Sequence, residues 1–152
     1  MKLRIGDIVE LKTSKGFMYG IYTHEHKDYL SLVRFFNHYF SEAPDSIEML
    51  AESDVRFSFF YPLKRAVKEG LVDIVGNIEV PDLLKPFPIF RAGIVNPRDK
   101  NDIHWWLWDG EKEQKIGKLS PGQRKYPIRG VMSHAGLIEE LETNNSQEDI
   151  NF

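Results

Sequence analysis

The sequence predicts an α+β fold: a β-rich single domain with a strongly bent antiparallel sheet or partial barrel and two or three short helices. Three observations predict it. The first 36 residues run strand, turn, strand, turn, strand with tight connections, which is how a small, strongly bent sheet begins. Val55 to Tyr61 has the highest strand propensity in the chain, with Phe57, Phe59 and Tyr61 alternating on one face and Phe60 on the other. All three tryptophans fall inside Ile103-His104-Trp105-Trp106-Leu107-Trp108, which is followed by the turn pair Asp109-Gly110.

Taken in order, Lys2 to Lys12 alternates through Leu3, Ile5, Ile8, Val9 and Leu11, with the register broken at Gly6-Asp7, so it is expected as a kinked strand. Thr13-Ser14-Lys15-Gly16 is a turn, Phe17 to Tyr22 the returning strand, and Tyr29 to Phe36 a third. After Ala43-Pro44-Asp45, the helical spacing of Ile47, Leu50 and Ala51 predicts a short helix. Pro62 stops the Val55 strand and suits the first turn of a helix over Leu63 to Glu69, which Gly70 would cap. Leu71 to Val80 is expected as a strand. Pro81 to Pro88 holds three prolines and is read as a packed, irregular connector, since proline cannot donate to a central ladder. Phe90 to Val95 and Ile103 to Trp108 form a hairpin across the loop Asn96 to Asp102, and Lys115 to Leu119 adds a strand before the turn Ser120-Pro121-Gly122. Ala135 to Glu142 closes the domain as a helix with Leu137, Ile138 and Leu141 inward. The domain is taken as residues 1–142, with residues 143–152 a polar tail expected to fray.

With 152 residues, 41% of them hydrophobic, the chain supports one real core rather than two. The absence of cysteine removes disulfides, thiolate zinc sites and thiol nucleophiles. Neither an apolar leader nor a membrane-length apolar run is present, so no membrane partner and a cytoplasmic location are expected. The net charge of −3 is uneven. Residues 135–152 carry five acids and no base, leaving +2 on the rest.

Alternation along the tryptophan strand places Ile103, Trp105 and Leu107 on one face, read as core. His104, Trp106 and Trp108 share the other, read as an open recognition face, because indoles combine a large apolar body with one N–H donor. These three, with the acids Glu139, Glu140 and Glu142, are the candidate partner-binding residues. Other constellations lead nowhere. His24-Glu25-His26, beside Asp28, lacks a third ligand at metal spacing and is read as solvated turn residues. Ser133-His134 lacks a nucleophile elbow. Gly110 to Ser120 fails as a phosphate loop because Leu119 follows Lys118 where a hydroxyl is needed. Asp7, Asp109 and Glu139 have no spacing that marks an acid and a base. No catalytic residue, metal site or cofactor is therefore assigned. The run Lys112, Lys115, Lys118, Arg124, Lys125 and Arg129 against Glu113 gives +5 beside the tryptophan strand, which keeps open a nucleic-acid-associated small β-barrel module as the alternative.

Gly6-Asp7-Ile8-Val9-Glu10-Leu11 followed by Gly16, Tyr19 and Gly20 resembles the opening of the immunity protein 26 family, bacterial immunity proteins of polymorphic toxin systems. The likeness continues through Val75-Gly76-Asn77, the Pro81 to Phe90 connector, Trp106 with Asp109-Gly110, and Gly117 to Ile138. What the resemblance implies is a non-enzymatic protein that binds a cognate toxin in the producing cell and blocks it. No catalytic residues carry over, and the toxin's chemistry stays open.

Overall fold

Two antiparallel sheets carry the fold in the computed structural model, which describes residues 2–143. The first contains β1 (Asp7–Thr13), β2 (Gly16–His26), β3 (Leu30–Phe36), β4 (Val55–Tyr61) and β5 (Asp73–Asn77), ordered β4-β3-β2-β1-β5. The second contains β6 (Phe90–Asn96), β7 (Asp99–Trp108) and β8 (Glu113–Gly117) in sequence order. Two helices, α1 (Leu63–Lys68) and α2 (His134–Glu142), and the 3-10 turns Ile47–Glu52, Asp82–Leu84 and Gln123–Lys125 complete the described residues. The β-rich α+β expectation holds, as two separate antiparallel sheets in place of one strongly bent sheet, with no closed barrel among the described residues.

The alternation in β4 sorts the core as its sequence requires. Phe57, Phe59 and Tyr61 join Val9, Leu11, Met18, Tyr22, Val33 and Phe35 on one face of the first sheet, where Leu63 and Ala66 of α1 and Leu137 and Leu141 of α2 cover them. Ser133 caps α2, its Oγ accepting from the Gly136 amide at 3.1 Å. Phe60 faces the other way, into a cluster with Leu32, Phe90 and Trp108. Further along that second face, Ile8, Tyr19, Ile21 and Phe36 pack under the Ile47–Glu52 turn through Leu50.

Residues 127–132 join the sheets. The Arg91 amide donates to the Pro127 carbonyl at 2.8 Å and the Arg129 amide to the Arg91 carbonyl at 2.9 Å, while the Met132 amide donates to the Phe60 carbonyl at 2.8 Å. The segment thus pairs first with the edge strand β6 and then with the edge strand β4, through the parallel bridges Arg91–Ile128 and Phe60–Val131. One position on each of these two edges, Arg91 of β6 and Phe60 of β4, is thereby hydrogen-bonded across to the joining segment.

Some boundaries differ from expectation. β1 begins at Asp7, not Lys2: Gly6 has φ +94°, its amide donates to the Tyr22 carbonyl at 2.7 Å, and the Asp7 carboxylate accepts from the Arg4 amide at 2.8 Å. A Cβ on Gly6 would lie 2.3 Å from the Ile78 carbonyl oxygen, so a turn takes the place of a kinked strand. The Asn96 to Asp102 loop tightens to Pro97-Arg98, because Asn96 pairs with Asp99 and extends the hairpin. Residues 144–152 of the expected tail lie outside the described residues. Thr143 is described, and its carbonyl accepts from an Arg56 guanidinium nitrogen.

Arg34 sits in the middle of the second face, 9% exposed, with Nε donating to Ser58 Oγ at 2.6 Å and Nη1 buried without a hydrogen-bond partner among the described residues. Burial pushes its pKa down to about 10, which leaves it charged at neutral pH. A buried cation with no carboxylate partner is a cost that an apolar side chain of similar length avoids. Ser58→Ala is expected to destabilise by about 1–3 kcal/mol because it strands a buried donor. The double variant Arg34→Met/Ser58→Ala is expected to lie closer to wild type than Ser58→Ala alone. Urea titration of wild type and the two variants checks this, and a double variant less stable than Ser58→Ala would contradict it.

Candidate functional site

The β6–β7 register decides what the tryptophan strand can present. Phe90 lies opposite Trp108, Ala92 opposite Trp106 and Ile94 opposite His104, so these six side chains share one face of the second sheet. The face changes character along its length. At one end Trp108 is buried at 5% exposure, its ring 5.6 Å from Phe90, 5.7 Å from Phe87, 4.9 Å from Tyr29 and 4.9 Å from the His26 imidazole. Beyond it Trp106 is half-buried, His104 exposed, and Ile94 62% exposed. Lys115 of β8 lies opposite Trp106 on the same surface.

Trp108 must therefore leave the set of open recognition residues. Alternation correctly put it on the same face as His104 and Trp106, but the bend between the sheets folds that end of the face onto Phe60 and converts it to core. On the reverse face Trp105 is buried, as expected, under the fully buried Arg91 guanidinium 4.9 Å from its ring. Arg91 Nε donates to the Tyr126 carbonyl at 3.0 Å. Ile103 and Leu107, expected as core, are only half-buried.

The acids are placed elsewhere. Glu139 is exposed and Glu140 half-buried on α2, which covers the opposite face of the first sheet from the one that meets Trp108. Glu142 is already engaged, accepting from the Ser14 amide at 2.8 Å across the β1–β2 turn. The fold thus keeps His104 and Trp106 together and does not bring Glu139, Glu140 and Glu142 to them. Within the basic run, Arg129 is also committed: it pairs with Glu113 at 2.7 Å and lies over the Tyr29 and Trp108 rings.

His24 and His26 are not solvated turn residues. They hold the joint between the sheets. A carbonyl only accepts, so Nε2 of each carries its proton and donates, His24 to the Lys85 carbonyl at 2.8 Å and His26 to the Gly110 carbonyl at 2.8 Å. Nδ1 of His26 in turn accepts from the Asp28 amide at 3.1 Å. Gly110, at φ +102°, allows the close approach, since a Cβ there would meet the Phe87 ring at 2.8 Å. Sequence gave no sign of these bonds beyond the two-residue spacing that puts both imidazoles on one strand face. Other candidate residues have structural partners: Asp7 accepts from Asn77 Nδ2 at 3.0 Å, Asp109 accepts from the Glu111 and Lys112 amides, and His134 Nδ1 bonds the Tyr61 hydroxyl at 2.8 Å. Among the described residues no group of three or more His, Asp or Glu could hold a metal ion, and no helix is long and apolar enough to cross a membrane.

The molecule defined by this geometry is a two-sheet α+β domain with a preformed aromatic surface on its smaller sheet. The chain matches no family model and no solved structure. A stretch of 90 residues is 33% identical to a probable aldo-keto reductase 1 of Glycine max, covering 55% of this chain and 25% of the reductase. The matched region thus spans about a quarter of that protein's length.

Trp108→Ala is expected to cost ~3–5 kcal/mol, as truncation of a buried aromatic does, and Trp105→Ala a similar amount. Trp106→Ala should cost clearly less. Denaturant titration of the three variants tests the assignment, and equal losses would mean that Trp106 is as fully packed as Trp108.

His24 gives a pH dependence. Burial lowers its pKa below the ordinary 6.5, with the Lys85 carbonyl opposing and the Arg34 charge adding to the fall. The unfolded chain therefore binds the proton more readily, and stability present above 6.5 is lost as pH drops from there through the depressed folded value. Urea midpoints at pH 7.5 and 5.5 are expected to differ less in His24→Gln than in wild type, and an unchanged difference would remove His24 as the cause.

Proposed function

We propose that this protein is a non-enzymatic, antitoxin-like immunity protein that binds and neutralises a cognate polymorphic toxin in the cytoplasm of the producing cell. One observation carries the reading. The apolar face anchored in the core at Phe90 and Trp108 continues outward, without a break in strand register, to Ala92, Trp106, His104 and the 62%-exposed Ile94. A surface whose inner end is locked by packing is rigid before it meets a partner, and rigid aromatic patches carry a large share of interface energy because little entropy is lost on binding. The resemblance of Gly6 to Leu11 and of Trp106 with Asp109-Gly110 to immunity proteins supports the same reading.

In this view Trp106 is the anchor, His104 and Ile94 complete the patch, and Glu139 and Glu140 act at a distance by steering a basic partner. Glu142 contributes mainly to the fold through Ser14. A nucleic-acid module remains the second reading, favoured by Lys115 standing cross-strand from Trp106, a cation beside a stacking platform.

Co-expression with a toxin encoded beside its gene is the decisive experiment. Cells are expected to survive, and the two proteins to purify as a complex. Trp106→Ala should speed dissociation, while neutralising Glu139 and Glu140 should slow association and reduce its salt dependence. Cell death despite folded protein, with no complex recovered, would sink the proposal. Binding to single-stranded RNA that weakens steeply with salt would move the assignment to the second reading.

A further inference from the structure

A second surface lies across the ends of β2 and β3, beside α1. Here α1 and the N-terminal residues Lys2 and Leu3 enclose an open groove of about 1360 Å3, in which Leu3, Leu30 and Leu63 form an apolar stripe among charged side chains. We propose that this groove docks an acidic, leucine-rich segment of a partner polypeptide.

Two locally unfavourable features converge on it. Leu30 has φ +73°, the left-handed conformation that branched and bulky residues avoid, and is the only non-glycine residue with positive φ among those described. It follows the β2–β3 turn, at a position where glycine or asparagine would relieve the strain. Its side chain gains little from the core in return, since it stays 41% exposed at the groove wall. Strain kept without a packing reward marks a position selected for something other than stability. The second feature is Lys64 and Lys68, like charges one turn apart on a six-residue helix, an arrangement that weakens the helix. Both line the groove, as does Lys2.

Of the other charges there, Arg65 and Glu69 neutralise each other, and Glu25 keeps its negative charge while hydrogen-bonded by neutral hydroxyls. Arg65 pairs with Glu69 at 2.9 Å, and Glu25 Oε1 accepts from the Tyr22 and Ser31 hydroxyls at 2.9 and 2.7 Å. Lys2, Lys64 and Lys68 against Glu25 leave the groove net positive, so the complementary occupant is acidic around an apolar stripe. The groove is larger than the ~300–1,000 Å3 of small-molecule sites and open to solvent, which suits a chain segment laid along it. Carboxylates one helical turn apart on such a segment would meet Lys64 and Lys68 together. The inference does not depend on the toxin reading.

The test uses the full chain and a fluorescein-labelled amphipathic helical peptide of leucine and glutamate, with a sister peptide of leucine and lysine as control. The acidic peptide is expected to bind and the basic one not to bind. Lys64→Glu/Lys68→Glu should weaken binding by about tenfold or more. Leu30→Gly should weaken it comparably while the thermal midpoint holds or rises, because glycine takes the positive φ without strain. That pairing separates a docking role from a structural one. Equal binding to wild type and Leu30→Gly, or equal binding of both peptides, would overturn the proposal. Dodecanoate binding in place of the acidic peptide, lost in the same variants, would make the occupant a small amphiphile and overturn the assignment to a polypeptide.

Discussion

The packing of Trp108 against Phe60 and Phe90 is the contact on which the rest of the architecture depends. Phe60 comes from the edge strand of the five-stranded sheet, and Phe90 and Trp108 from the three-stranded one, so these rings are where the sheets become one body. Phe60 and Phe90 lie nearly parallel with centroids 5.0 Å apart, and Trp108 approaches both obliquely, geometries that suit the ring quadrupoles. Around this cluster the polar bonds are placed where a hinge would otherwise open. His24 and His26 clamp the proline-rich connector and the β7–β8 turn, and residues 127–132 bridge from Arg91 of β6 to Phe60 of β4.

That joint explains why the outer part of the second sheet is held rigid while still exposed, as the proposed recognition role requires. A sheet of only three strands depends on covering a hydrophobic face for its stability. Anchored through Trp108 beneath and through Arg91 and the 127–129 backbone at its side, it holds Trp106, His104 and Ile94 in fixed positions while leaving them accessible. The groove beside α1 is built on the opposite logic. There the chain tolerates a left-handed leucine and a repelling lysine pair, and the stability this costs is supplied by the core under Phe57, Phe59 and Tyr61.

Charge is likewise divided by the fold rather than by sequence position. The acids of α2 lie over one face of the first sheet, the basic run 112–129 flanks the second sheet, and Lys2, Lys64 and Lys68 rim the groove. Contiguity in sequence is a poor guide here. Arg129, counted with the basic run, is spent on Glu113 and two aromatic rings, and Glu142, counted with the acidic tail, holds the β1–β2 turn.

The sequence by itself determined the elements and the faces. Period-two alternation sorted Phe57, Phe59 and Tyr61 from Phe60, and Trp105 from Trp106 and Trp108, because side-chain direction along a strand is a local property of the backbone. Pro62, Gly70 and Gly110 marked ends and turns for the same reason, each acting through its own φ, whereas the Ser133 cap went unread. Only the tertiary structure decided which part of a face is covered. Trp106 and Trp108 are equivalent in sequence, yet one lies beyond the bend and the other under Phe60, and burial depends on partners some fifty residues distant. The imidazole clamps were illegible on the same ground: His24 and His26 meet carbonyls 61 and 84 residues away, and an unmodified backbone carbonyl leaves no signature in an amino-acid sequence.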